Sequence, residues 1–243
     1  MLTLFSEVDY SYRAETIAFR AALAGNADSI TDIQAMALDR LIRDLNGEFN
    51  PHYATANLWN KFTALYPILG GTATAHRWNL KDLRDLDAAY RITWVNNPTH
   101  NATGVQFDGT TNYGQLHTTG LTVHNNDFHL SFYNRNPNIK GYVDMGDSYS
   151  TVGLGANWNP PAHKGGSYPP LSYHATWEII VAIADGENIT SIPTAGMYQQ
   201  NLGMFTGTRN STTTTDFYYR DGSTDTIIFQ KVLQQVVLVV IIS

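Results

Sequence analysis

The chain holds eight histidines and 21 acidic residues but no cysteine. Any catalytic or metal chemistry must therefore come from imidazole, carboxylate and hydroxyl groups; a disulfide framework, a thiolate zinc site and a cysteine nucleophile are excluded. His76, beside Arg77 and behind Gly70-Gly71-Thr72, has the residue types for acid–base work or for cradling a phosphate. A phosphate loop needs a strand before its glycines, a helix after them and a lysine at fixed distance. Here a helical pattern comes first and strand-like sequence follows, so the run reads as a joint and His76 as a structural residue. His124, Asp127 and His129 could form a metal cluster, but on a strand Asp127 and His129 share a face and His124 takes the other. Asp144 and Asp147 flank a glycine without the further oxygen ligands of a calcium loop. Asp144, Glu178 and Asp216 lie in strand-like runs, and they do not cluster as the carboxylate pair of a glycosidase would. Neither G-x-S-x-G nor H-E-x-x-H occurs. The expectation is no catalytic residue, no metal and no cofactor.

One loop has a different character. "GANWNPPAHKGGSYPPLSYH", from Gly155 to His174, is broken by prolines and glycines yet carries Trp158, His163, Tyr168 and Tyr173. Aromatic faces beside amides and hydroxyls suit sugar rings, whose apolar faces stack while their hydroxyls hydrogen-bond. These four residues are the candidate glycan contacts. The alternative is that they pack the loop against its own domain or a neighbouring subunit.

The elements that would position these groups follow from spacing. Ala14 to Ala24 predicts a short amphipathic helix with Ile17 and Leu23 inward, stopped by Gly25. A second helix is signalled by Thr31 with Gln34 three residues on, a capping box, and by Ile33, Ala37, Leu41, Ile42 and Leu45. Asn46-Gly47 ends it. "NLWNKFTALYP" then sets Leu58, Phe62, Leu65 and Tyr66 on one helical face, closed by Pro67. From Ala89 the period changes to two in "AYRITW", "FHLSFYN", "GYVDMGD", "STVGLGA", "EIIVAIAD", "LGMFTGTR" and "DFYYRDGSTDTIIF". Many short strands without intervening helices predict a β-sandwich or jelly roll. A charged fraction of only 15% suits that reading, and a net charge of −6 gives no attraction for nucleic acid. No window reaches membrane-span length. Glu7 and Asp9 interrupt the apolar core that a signal peptide needs.

Within this pattern, "LWNKFTALYPILGGTATAHRWNLKDLRDLDAAYRITW" (Leu58 to Trp94) closely resembles a segment of virion structural proteins of phages and prophages of Bacteroidota. There an L-W-x-K helix ending in Y-P leads into G-G-T-A-T-x-H-K/R-(W/F)-N-L-K-D and then R-D-L-D-A-A-(Y/F)-R. Thr99 to Arg135 resembles the next part of that pattern, with its T-H-x-x-x-G element, and Leu202 to Gly222 resembles a later hairpin. The resemblance implies a concanavalin A-like jelly-roll sandwich of the lectin or laminin-G type behind an N-terminal α-helical stem, carried on a fibre, spike or other surface appendage. It implies an architectural role for G-G-T-A-T-x-H. Asp82, Arg84, Asp85, Asp87 and Arg91 are expected to pair locally around the joint.

The resulting partition is a helical attachment region over 1–70, the sandwich over 71–226 and an apolar strand over 227–243. The resembled proteins continue past the hairpin with further strands and a short helical tail, where this chain gives "TDTIIFQKVLQQVVLVVIIS". An apolar strand at an open edge invites pairing with another chain. Val236, Val237, Leu238, Val239, Val240, Ile241 and Ile242 are therefore candidate contacts between subunits, a trimer being favoured, with folding back onto the chain's own sheet as the alternative. Implied partners are other virion proteins and host surface glycans, with assembly in the bacterial cytoplasm. A glycan-degrading enzyme on the same fold, or a capsid decoration without host ligand, are the competing functions.

Overall fold

A computed structural model describes residues 10–56, 58–108, 110–117, 128–135, 143–145, 171–174, 178–182, 189–193, 203–209, 215–221 and 238–240. The first helices are α1 (Ala14–Ala24) and α2 (Asp32–Leu45). Thr31 caps α2 through its hydroxyl, which accepts the Gln34 amide at 3.2 Å, while the Gln34 carboxamide oxygen accepts the Thr31 N–H at 3.0 Å. The inward faces differ in register from the hydrophobic spacing. On α1 it is Thr16, Phe19 and Leu23 that are buried, and Ile17 is 56% exposed. On α2 the buried row is Ala35, Leu38, Asp39, Ile42 and Leu45, with Ile33 76% exposed and Ala37 outward.

A polar bond sets that register. Asp39 on α2 is fully enclosed and accepts the Arg13 amide (2.6 Å), the Thr16 hydroxyl (2.9 Å), the Tyr10 hydroxyl (3.0 Å) and Arg43 Nε (2.6 Å). Arg13 is the N-cap of α1 and makes no side-chain cap of its own. Asp39 thus takes, from a neighbouring helix, the N-cap amide that the N3 side chain takes in a capping box, and it draws Thr16 inward with it.

After α3 (Pro51–Ala56) and α4 (Leu58–Lys61), the helix expected through Tyr66 gives way to a strand, β1 (Ala64–Tyr66). Leu65 and Tyr66 keep their burial but not their helical geometry, because Leu65 is in register with Val239 on one edge and bonded to Asn79 and Leu80 on the other; tertiary pairing overrides local spacing. There follow α5 (Ala73–His76), a single 3-10 turn (Asp87–Ala89) and the strands β2 (Thr93–Val95), β3 (Thr99–Asn101), β4 (Gly104–Gln106), β5 (Tyr113–Gln115), β6 (Phe128–Asn134), β7 (Val143–Met145), β8 (Leu171–His174), β9 (Glu178–Ala182), β10 (Ile189–Pro193), β11 (Gly203–Arg209), β12 (Thr215–Asp221) and β13 (Leu238–Val240). The run "STVGLGA" lies outside the described residues.

The strands form a five-stranded sheet in the order β1-β13-β6-β11-β12 and a four-stranded sheet in the order β10-β9-β8-β7, with two-stranded ribbons β2-β5 and β3-β4. β6, β11 and β12 are antiparallel neighbours, whereas β13 runs parallel to both β1 and β6. The helical layer packs on this β-structure through one core that joins Phe19, Leu23, Leu38 and Ile42 to Trp59, Leu65, Trp78 and Leu80, with Met204 of β11 against it. Among the described residues no helix is long and apolar enough to cross a membrane.

Candidate functional site

The residues between Leu65 and Asp82 with the most chemical potential are bound to one another and to the helices. Gly70 and Gly71 both have positive φ, +98° and +86°. A Cβ on Gly70 would come within 2.6 Å of the Ala75 Cβ, and one on Gly71 within 2.9 Å of the Ala102 amide nitrogen. Only glycine meets both demands. Thr72 caps α5 by accepting the Ala75 amide at 2.9 Å, and its hydroxyl donates to Asp28. This turn binds its own protein rather than a phosphate.

Asn79 is the hub of the following stretch. Its side chain is buried, its Oδ1 accepts the amides of Leu65 (3.0 Å) and Lys81 (3.1 Å), and its Nδ2 donates to the Ala89 carbonyl at 3.0 Å. Lys81 Nζ donates to the Trp59 carbonyl at 2.9 Å and sits 3.8 Å from the Trp59 ring centroid, a cation–π contact. Burial holds the Lys81 ammonium below the ordinary lysine range. The charges around the joint pair locally, as expected: Arg84 with Asp82, Arg77 with Asp85, and Arg91 with both Asp85 and Asp87.

His76 has the partner that the sequence did not identify, His100 on β3. Their Nδ1 atoms are 3.0 Å apart, and Nε2 of His76 accepts the Gly71 amide at 3.1 Å. These contacts fix the hydrogens. Since Nε2 of His76 accepts, a neutral ring carries its hydrogen on Nδ1 and donates it to Nδ1 of His100, which then carries its own hydrogen on Nε2. Two nearby imidazole nitrogens invite a metal reading, but a metal at Nδ1 of His76 would move that ring's hydrogen onto Nε2, against the Gly71 N–H. Among the described residues no group of three or more His, Cys, Asp or Glu is placed to hold a metal. Burial, reinforced by the neighbouring imidazole, draws His76 down to about 4 against the opposing pull of Asp28.

A second polar cluster crosses β6 and β11. Ser131 Oγ lies 2.6 Å from His129 Nε2 and 2.7 Å from Thr206 Oγ1, all three residues being buried. Serine beside histidine has the residue types of a nucleophile and its base. For that role Nε2 must take the serine proton, which leaves the hydrogen on Nδ1, a buried atom without a hydrogen-bond partner among the described residues. The arrangement that leaves no N–H bare has Nε2–H donating to Ser131. Ser131 is also 1% exposed, so no substrate reaches it. The cluster ties two strands together, and burial takes His129 down to about 4.

Of the candidate glycan contacts, Trp158, His163 and Tyr168 lie outside the described residues, and Tyr173 is on β8 opposite Ile179. His124, Asp127 and Asp147 also lie outside them. Asp144 is on β7 and Glu178 on β9, with β8 between, while Asp216 belongs to the other large sheet. The tail residues Leu238–Val240 form β13 between β1 and β6; Val236, Val237, Ile241 and Ile242 lie outside the described residues. His100 and Asn79 were not singled out by residue chemistry. The available signals were the resemblance motifs, N-L-K-D for Asn79 and T-H-x-x-x-G for His100.

No protein-family model, curated protein or solved structure matches this chain.

Proposed function

We propose that the chain is a structural protein of a phage particle, displayed on its surface as part of a fibre, spike or head or tail appendage, and that it binds host surface glycans. The observation that carries this reading is the run from Leu58 to Trp94 and its resemblance to virion proteins. The internal use of that run supports it: Gly71, Thr72, His76, Asn79 and Lys81 all spend their bonding capacity on the fold, as suits a building block more than a catalyst. The helical region would attach to the particle and the β-region, a jelly-roll sandwich, would face outward. The approach of β11 to β8, which brings the two larger sheets together, supports such a sandwich. The loop with Trp158, His163, Tyr168 and Tyr173 would meet sugar. Weak single sites on a homo-oligomer, a trimer being favoured, would gain strength by multivalency.

The test is competition. Purified chain added to host cells should reduce adsorption of the particles in proportion to its concentration. Adsorption unchanged at saturating chain would remove the attachment role and leave capsid decoration, and release of reducing sugar from the host surface would favour a glycan-degrading enzyme. The mass of the purified chain with and without 236–243 addresses the oligomer. A trimer that needs the tail supports strands shared between subunits, and a monomer in both forms points to a self-contained module.

A further inference from the structure

His76 and His100 come from different elements, α5 and β3, and join two turns that also touch through their backbones. Gly71 approaches the turn between β3 and β4 so closely that a Cβ would come 2.9 Å from the Ala102 nitrogen and 3.0 Å from the Asn101 carbonyl carbon. The side-chain bonds across this contact run in one direction: Gly71 N–H to His76 Nε2, His76 Nδ1–H to His100 Nδ1. Each imidazole thus has one hydrogen and one lone pair, and both lone pairs are in use. An added proton has two places to go. On Nε2 of His76 it confronts the Gly71 N–H, and on Nδ1 of His100 it confronts the Nδ1–H of His76. Either one replaces a hydrogen bond by two opposed donors.

We propose that the His76–His100 pair is an acid-sensitive latch, which holds the β3–β4 turn against Gly71 while both rings are neutral and releases it when either takes up a proton.

The surroundings favour the neutral state. The carboxylate whose field reaches His76 is Asp28, itself bonded to the Thr72 hydroxyl. Arg77, next in the chain, is turned to Asp85 and Asn26. His100 meets the uncharged ring of Trp94 edge-on, centroids 4.7 Å apart; its buried Nε2–H has no partner among the described residues, a cost that the Gly71–His76–His100 bonds impose on this tautomer. His117, the other imidazole near β2, bonds Thr93 and faces Asp87 instead. Burial lowers both rings of the pair, His76 to about 4. A depressed histidine stabilises the closed contact fully above its ordinary value near 6.5 and loses that contribution as pH falls towards the depressed one. The release window therefore runs from about pH 6.5 down to about 4.

The experiment is hydrogen exchange of the Gly71 amide in the full chain between pH 7 and 4, beside nitrogen NMR of the two imidazoles. The expected protection factor falls by about tenfold per pH unit for one ring and by up to about a hundredfold for both. At pH 7 His76 should carry its hydrogen on Nδ1 and His100 on Nε2. The His76→Gln/His100→Gln double variant retains donors and acceptors without titrating, and its Gly71 protection should be flat with pH. A flat profile in the unaltered chain, the opposite tautomers, or either ring charged at pH 6 would overturn the proposal. The exchange profile and the tautomers of the unaltered chain decide the matter even if the variant does not fold.

Discussion

The side chain of Asn79 takes the place of a strand beside Leu65. Its Oδ1 accepts the Leu65 amide at 3.0 Å, and the next amide in the chain, that of Leu80, donates to the Leu65 carbonyl at 2.8 Å. On the other edge, Leu65 is in register with Val239 of β13. A three-residue strand at the border of a five-stranded sheet is thereby closed on its outer side, which is how an edge avoids recruiting another chain.

Replacing Asn79 by Ala should therefore cost about 3 kcal/mol, because the buried Leu65 amide and Ala89 carbonyl lose their partners. Urea unfolding of the full chain measures it. Asn79→Asp should also destabilise, since a carboxylate cannot donate to the Ala89 carbonyl. Unfolding midpoints within experimental error of the unaltered chain would show that the Asn79 bonds do not hold this edge.

Gly71→Ala faces two penalties, a left-handed backbone at φ +86° and a 2.9 Å approach of the new Cβ to Ala102. A loss of about 2 kcal/mol or more is expected in the same measurement. Gly25→Ala is the control: its φ is −61° and the nearest atom to an added Cβ is 3.5 Å away, so its stability should change little.

Asp39 ties the segment before α1 to α2. Burial works to raise its pKa, but the bonds from the Arg13 amide, Arg43, Thr16 and Tyr10 outweigh burial and hold it below the usual carboxylate range. A carboxylate depressed on folding stabilises the protein above its unfolded value, 3.8, and that contribution is lost as pH falls through the folded value. Asp39→Ala should cost about 3 kcal/mol at pH 7, from the orphaned Arg13 amide and Thr16 hydroxyl. The cost should shrink in acid below the carboxylate range. Thermal unfolding at a series of pH values checks both the size and the direction.

Trp158→Ala and Tyr168→Ala should each weaken adsorption by about fivefold or more if these rings stack on sugar, one ring–sugar contact being of the order of an aromatic pair, about 1 kcal/mol. Binding of the purified variants to host cells measures this, with circular dichroism to show intact folding. Unchanged binding by folded variants would remove the loop from the attachment surface.

The parts of this fold that local spacing dictates were legible in the residues. Thr31 and Gln34 announce the start of α2, and the alternation of "FHLSFYN" and "LGMFTGTR" delivers β6 and β11. The parts decided by distant partners were not. Leu65 and Tyr66 fit a helical face on spacing alone, and only β13, far later in the chain, with Asn79 on the other edge, makes them a strand. Ile17 lost its expected place inside because Asp39 claims Thr16. His76 could be read as structural from its position, but its partner His100 is 24 residues away with no periodic pattern to connect them. Hydrogen-bond wiring between turns leaves little trace in hydrophobic periodicity, which reports only which face is dry.

The most direct test of the central claim is to label intact particles with antibody raised against the purified full chain and view them by electron microscopy. A surface-displayed virion protein predicts gold at a defined appendage or at regular positions on the head. Unlabelled particles, with the chain recovered only from the soluble fraction of infected cells, would contradict it.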